Sequence, residues 1–218
     1  MKPGEAEQRA QLLLQMRARG LRDLKLLRAM ERAPRALFMP QRYADLAWRD
    51  MALPIGCGQT ASPPSVVATM IEALQVGPED RVLEIGTGAG YAAALLAQCA
   101  REIVSLERYE TLAAEAAARL LTLGVDNVEV QWADGLAPGA GGGAFSRILV
   151  EGVIAVTADP FLGRLSPGGL LVGVMAELGQ PRQRLFVLKR RSDGEVTLEP
   201  GAAVRTLTPL TPGLAHAA

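Results

Sequence analysis

Histidine is nearly missing from this chain: its 218 residues hold one, His216, in the closing stretch Gly213–Leu214–Ala215–His216–Ala217–Ala218. A hydrolase built on an imidazole base, as in a Ser-His-Asp triad, has no plausible imidazole here. Cysteine is scarce too. Cys57 sits in a glycine-flanked loop and Cys99 at a predicted helix end, with no C-x-x-C spacing and no histidine nearby, which argues against a disulfide or a metal site. Excess charge of either sign is absent, since 23 Lys and Arg balance 23 Asp and Glu, so no global field draws the protein to nucleic acid or to a membrane surface. No run approaches the roughly 18 apolar residues of a membrane span. Nor does an N-terminal stretch join a basic head to an apolar core of signal length, and a cytoplasmic location is expected. What the chain does have is 49% hydrophobic residues, enough for one globular core with an appended N-terminal segment.

The stretch Val82–Leu83–Glu84–Ile85–Gly86–Thr87–Gly88–Ala89–Gly90–Tyr91 organises the rest. An apolar run stops at three glycines spaced by two and passes into the alanine-rich Ala92–Ala97, which reads as a buried strand turning sharply into a helix. Glycines at 86, 88 and 90 permit positive φ and remove Cβ atoms that would hold a ligand away, and a helix start offers unpaired N–H groups. A dinucleotide fingerprint, G-x-G-x-x-G, fails because the sixth position from Gly86 is Tyr91. NAD is disfavoured. E-I-G-T-G-A-G instead resembles the first motif of Rossmann-like S-adenosylmethionine-dependent methyltransferases. That resemblance implies that Glu84 orients the loop and the methionine end of the cofactor. It also implies a second acid at the end of the next strand for the ribose hydroxyls, which Ile103–Val104–Ser105–Leu106–Glu107 supplies, and a third near the adenine amine, where Asp134–Gly135 follows Val128–Ala133. The implied cofactor set is Glu84, Gly86, Thr87, Gly88, Gly90, Glu107, Asp134 and Gly135. Any one of these acids alone reads more simply as a solvated loop charge. Three at successive strand ends do not.

Upstream, Gly4–Met16 and Leu21–Arg32 carry leucines at helical spacing, with Gly20 and Asp23 as stop and cap. Arg17, Arg19, Arg22, Lys25 and Arg28 interleave with acidic and apolar residues and read as solvated faces. Pro34 and Pro40 break the chain, Tyr43–Asp50 suggests a short helix, and the Gly- and Pro-rich loop Leu53–Pro64 leads into an apolar helix, Ser65–Leu74. Downstream the pattern alternates: helix Tyr109–Leu121, strand Asn127–Trp132, strand Phe145–Val150, helix Asp159–Leu165, strand Leu170–Val174. This predicts a parallel sheet with helices on both faces. Leu185–Arg191 and the late strand Val204–Leu207 suggest a terminal antiparallel pair, and Ala137–Ala144 a flexible surface loop.

R-A-P-R-A-L-F-M-P, Y-A-D-L-A-W-R-D and L-P-I-G-C-G-Q-T-A-S, followed after the glycine motif by L-G-V-D-N-V-E-V, L-S-P-G-G and V-R-T-L-T-P-L, resemble the protein-L-isoaspartate O-methyltransferase family from about Leu24 to Leu210. The resemblance implies an α/β fold with a mostly parallel seven-stranded sheet and an antiparallel last strand. An N-terminal helical segment with the substrate loop would span 1–78 and the Rossmann-like S-adenosylmethionine-binding domain 79–218. It places Thr60 and Ser62 at the active site, Ser62 being the one tied to catalysis, and makes isoaspartyl proteins or peptides the partner. A helix N-cap is the plainer alternative for Ser62.

The chain also departs from the family. Glu151–Gly152–Val153–Ile154–Ala155–Val156 stands where a run of small residues ending in proline is usual. Ser65 replaces an aromatic or histidine, and Ser146–Arg147 an aspartate. A carboxylate at 151 would repel a substrate carboxylate unless a cation, such as Arg147, offset it. Methylation of a carboxylate suits a chain without a usable histidine, because that nucleophile is already ionised at neutral pH. Ser62, with no base in view, would then orient the acceptor and not attack it. Two other functions fit the same residues: methylation of another peptide or small-molecule carboxylate, and non-catalytic S-adenosylmethionine binding.

Overall fold

Along Arg81–Ile85 (β3) and Glu102–Glu107 (β4) successive side chains point to opposite faces of a sheet, and both faces are buried. Val82 and Ile103 join one apolar cluster, while Leu83, Ile85, Val104 and Leu106 join a second. The computed structural model describes residues 4–154, 159–176, 183–204 and 207–215. His216 and the pair Ala155–Val156 lie outside these residues.

Two short strands, Leu53–Pro54 (β1) and Thr60–Ala61 (β2), pair antiparallel ahead of the main sheet. Val128–Trp132 (β5), Phe145–Ile154 (β6), Leu165–Ala176 (β7), Gln183–Arg190 (β8) and Val196–Val204 (β9) complete seven strands in the order β5-β4-β3-β6-β7-β8-β9. Pairing is parallel from β5 through β7 and antiparallel for β7 with β8 and β8 with β9. The order reverses between β3 and β6, which opens a crevice at the carboxyl ends of those strands.

The helices Glu5–Ala18 (α1), Leu24–Arg32 (α2), Pro64–Leu74 (α3), Tyr91–Leu96 (α4) and Glu110–Thr122 (α5) all contribute to the first cluster. Asp23 caps α2, its Oδ1 accepting from the N–H groups of Lys25 and Leu26. One continuous core thus joins the N-terminal helices to the sheet.

Helices lie on both faces as expected; among the described residues the second face is covered by the four-residue α6 (Asp159–Leu162), through Phe161, and by Leu136 and Ala140. Pro138 and the positive-φ glycines 139 and 141–143 keep the connection after β5 from forming a helix. That connection was read as a flexible surface loop, yet Arg164 donates to the Ala140 carbonyl at 3.0 Å and Arg81 to that of Gly142 at 3.0 Å. Several boundaries also differ. The Tyr43–Asp50 segment forms a 3₁₀ turn over Gln41–Leu46, the helix expected over Asp159–Leu165 ends at Leu162 so that Leu165 opens β7, and the last strand runs Val196–Val204, residues 205 and 206 of the expected Val204–Leu207 lying outside the described residues.

Candidate active site

β3 ends at Ile85 and α4 starts at Tyr91, so the turn between them is the glycine run. Gly86, Gly88 and Gly90 have φ of +92°, +54° and +92°, a region that strains any other residue. What a side chain would meet differs at each. A Cβ on Gly86 would lie 2.9 Å from the Glu151 carbonyl oxygen, and one on Gly90 would lie 3.2 Å from Ala116 Cβ on α5. At Gly88 the nearest atom is Ile55 Cδ1, at 3.5 Å. Two of the glycines therefore let chain pack on chain, and Gly88 keeps the turn open to the cavity.

The three acidic residues converge on this turn by different means. Glu84 is fully buried; its Oε2 accepts from Ser105 Oγ, whose hydroxyl in turn lies 2.5 Å from Thr87 Oγ1, while Oε1 has no partner. Burial pushes its carboxyl up to about 8 against that hydrogen bond, with the Glu151 and Glu107 charges adding to the rise. Glu107 is gripped by backbone, accepting from Gly88 N–H at 2.8 Å and Tyr109 N–H at 3.0 Å. Asp134 accepts from Leu136 N–H at 2.9 Å and Gly213 N–H at 2.7 Å. Gly135 follows because a Cβ there would fall 2.5 Å from Ile85 Cγ2. Its carbonyl accepts from the buried Arg164 at 2.8 Å.

The opposite wall is the loop between β1 and α3. Fully buried Arg35 donates to the carbonyls of Ala47, Arg49, Met51 and Ser62, at 2.8, 3.4, 3.3 and 3.0 Å, and so ties the loop to the 3₁₀ segment. Desolvation lowers its guanidinium to about 10, with Tyr91 and Asp50 opposing the shift. Ser62 does not cap α3. Asp50 Oδ1 takes the Ser65 N–H at 2.9 Å, Pro63 holds the cap position without a side-chain bond, and Ser62 Oγ donates to Glu151 Oε2 at 3.3 Å. Arg147, the cation considered for Glu151, pairs with Asp80 at 3.4 Å. Ser62 thus has a carboxyl beside it that linear order did not reveal. Thr60, on β2, is exposed and faces the same space.

Between these walls lies a cavity of about 410 Å³, in the range of small-ligand sites. Every residue of both sets reaches its lining except Glu84 and Gly90, which sit behind the turn. Three contributors were missed. Ser105 is a polar residue in an apolar buried strand, and Arg35 a charge inside an apolar proline-bounded run; both are signals legible in hindsight. The third is the strap Leu207–Thr211, which lines the cavity. Leu210 N–H donates to the Val153 carbonyl at 2.8 Å, Val153 N–H to that of Thr208 at 2.9 Å, and Arg108 Nη1 to Thr211 Oγ1. No local pattern predicts a contact of that span.

Residues 7–213 match the family model for protein-L-isoaspartate(D-aspartate) O-methyltransferase. The protein-L-isoaspartate O-methyltransferase 2 of Rhodopseudomonas palustris (strain HaA2) is 47% identical over 203 residues, covering 93% of this chain and 92% of the relative. The Maricaulis maris (strain MCS10) enzyme of the family is 40% identical over 207 residues, or 95% of each. A solved protein-L-isoaspartate O-methyltransferase superimposes with a TM-score of 0.79 at 25% identity over 94% of this chain and 67% of that one. The fold is shared with a putative Plasmodium falciparum enzyme in complex with S-adenosyl-L-homocysteine, with a TM-score of 0.77 at 19% identity over 92% of this chain and 97% of that one.

Proposed function

The chain belongs to the protein-L-isoaspartate O-methyltransferase family, and from that premise we propose how its cavity is used. It is an S-adenosylmethionine-dependent enzyme that methylates the carboxylate of L-isoaspartyl residues in proteins and peptides. The ester then activates the abnormal carboxyl for succinimide formation, and reopening returns part of the chain to normal aspartyl linkage.

The cofactor side is the β3–β4–β5 side. Glu107 keeps lone pairs free beyond its two backbone donors and takes the ribose hydroxyls. Asp134 likewise takes the adenine amine, with Gly135 setting the turn. Gly86, Gly88 and Gly90 shape the approach, and Thr87 fixes the turn through Ser105. Glu84, behind the turn, acts on the methionine end of the cofactor through the turn itself, which it holds by the Ser105–Thr87 hydroxyl chain. When bound, S-adenosylmethionine supplies an electrophilic methyl group on a sulfonium.

On the other wall Ser62 and Thr60 hold the acceptor carboxylate by hydrogen bonds. Arg35 sets the height of Ser62 by its carbonyl. Holding an ionised nucleophile in line lowers the barrier largely by orientation, and no proton has to be removed from it. The observation that carries this reading is that Ser62 and the glycine turn line one cavity, which the strap Leu207–Thr211 also lines. Balanced charge leaves nucleic acid and membrane surfaces out of the reading, and we place the enzyme in the cytoplasm. Repeated cycles of enzyme and S-adenosylmethionine on an isoaspartyl peptide, followed by chromatography, should convert it progressively to the aspartyl form. No conversion with intact cofactor binding would overturn the assignment.

A further inference from the structure

Glu151 sits at the crevice where the strand order reverses, on the stretch of β6 that leaves its ladder. Leu149 pairs with Val172 but Val153 with Val174, so two extra residues of β6 are taken up around Glu151. Such bulges redirect a side chain, and this one directs a carboxyl into the cavity. Its Oε2 accepts from Ser62 Oγ; its Oε1 is sheltered from solvent with no partner. Among the described residues no arginine or lysine pairs with it. The charged groups around it are Glu84 behind the turn, Glu107, Arg108 and Asp134 on the walls, and Arg35 below Ser62, whose Nη1 and Nη2 donate to carbonyls and whose Nε has no partner.

We propose that Glu151 is an acceptor-specificity residue that binds the isoaspartyl carboxylate as a neutral acid, donating its own proton from Oε1 to one acceptor oxygen while the Ser62 hydroxyl turns from Glu151 to the acceptor. This rests on the isoaspartyl reading above. A carboxylate acceptor set beside a second bare carboxylate would be repelled in a site poor in water, whereas two carboxyls sharing one proton attract. The proton stays on Glu151 throughout: the other acceptor oxygen forms the bond to the methyl carbon, the carbon–sulfur bond breaks, and its electron pair goes to sulfur. Glu151 titrates in a range where this matters, because burial raises its carboxyl to about 7 against the lowering bond from Ser62. A bare small residue at this position would accept the same substrate with no pH gate above 6. This enzyme instead favours acceptors that arrive with a negative charge and loses them as the medium turns alkaline.

The direct test is calorimetric titration of an N-acetylated isoaspartyl peptide amide into protein saturated with S-adenosylhomocysteine, in two buffers of different ionisation heat. At pH 8 the wild type should take up about one proton per peptide bound, and close to none at pH 6. Its KM in the methylation assay should rise by up to ~10-fold per pH unit above 7, with kcat little changed. Glu151→Gln keeps a donor without a titrating proton, and should bind without proton uptake and with a flat KM. Proton uptake that survives Glu151→Gln and vanishes in Glu84→Gln would assign the proton to Glu84 and overturn the proposal. So would a wild type that methylates the peptide with a flat KM and no uptake. If peptide is neither bound nor methylated by wild type or variant at pH 6, while S-adenosylhomocysteine still binds, the isoaspartyl reading itself falls and takes this one with it.

Discussion

The two walls of the cavity solve opposite problems. On the β3–β4–β5 side the carboxylates of Glu107 and Asp134 are each held by two backbone N–H donors, and their charge is stabilised where it sits. On the β6 side Glu151 has one hydroxyl donor and one orphan oxygen, and its charge is penalised. The first wall is built to receive hydroxyl and amine donors on carboxylates that the backbone already holds in place. The second is built around a group whose ionisation changes what it can hold. Cofactor affinity and acceptor affinity should therefore respond separately to mutation and to pH.

The strongest way to break that separation is at Gly88. Any side chain there is strained at φ +54° and points into the cavity, so Gly88→Val should weaken S-adenosylhomocysteine binding by roughly 1,000-fold, about 4 kcal/mol, in calorimetry. A Gly88→Val variant that still binds at wild-type affinity would remove the turn from the cofactor site. Next comes Arg35→Leu, which orphans carbonyls of Ala47, Arg49, Met51 and Ser62. It should cost about 3 kcal/mol of stability in urea denaturation and raise the peptide KM more than the cofactor Kd. Ser62→Ala should lower kcat by ~10- to 100-fold while the cofactor Kd stays within about twofold. Equal losses in both would merge the two walls into one site.

A separate effect is on stability against pH. Glu84 holds its proton more tightly folded, at about 8, than it would in the unfolded chain. As pH rises from the ordinary carboxyl range near 4.5 toward 8, the unfolded chain releases a proton that the folded chain keeps. Stability therefore falls across that window, on the order of 1 kcal/mol per pH unit from this group, and levels off above it. Thermal melts of ligand-free protein should show a higher midpoint at pH 6 than at pH 8, and Glu84→Gln should shrink that difference to the part that Glu151 contributes.

What was legible beforehand follows the same division. The strand, turn and helix around Gly86–Gly90 lie within one short run of chain, Arg81–Leu96, so apolar run, glycines and alanines reported the cofactor wall directly. Ser62 and Glu151 are 89 residues apart in sequence, and nothing local says that they touch. The departure at 151 was visible as an odd charge, but only the fold shows it beside Ser62 and not beside Arg147. The last strand begins at Val196 and carries Pro200 and Gly201 within it. β9 tolerates them as an edge strand with a register shift opposite Arg184 and Phe186.

One competition experiment bears on the central claim. An isoaspartyl peptide and its normal aspartyl twin, present together in equal amounts, are incubated with the enzyme and methyl-labelled S-adenosylmethionine at pH 6.5. Base-labile methyl ester should form on the isoaspartyl peptide alone. Label shared equally between the two, or absent from both while the cofactor binds, would contradict the account.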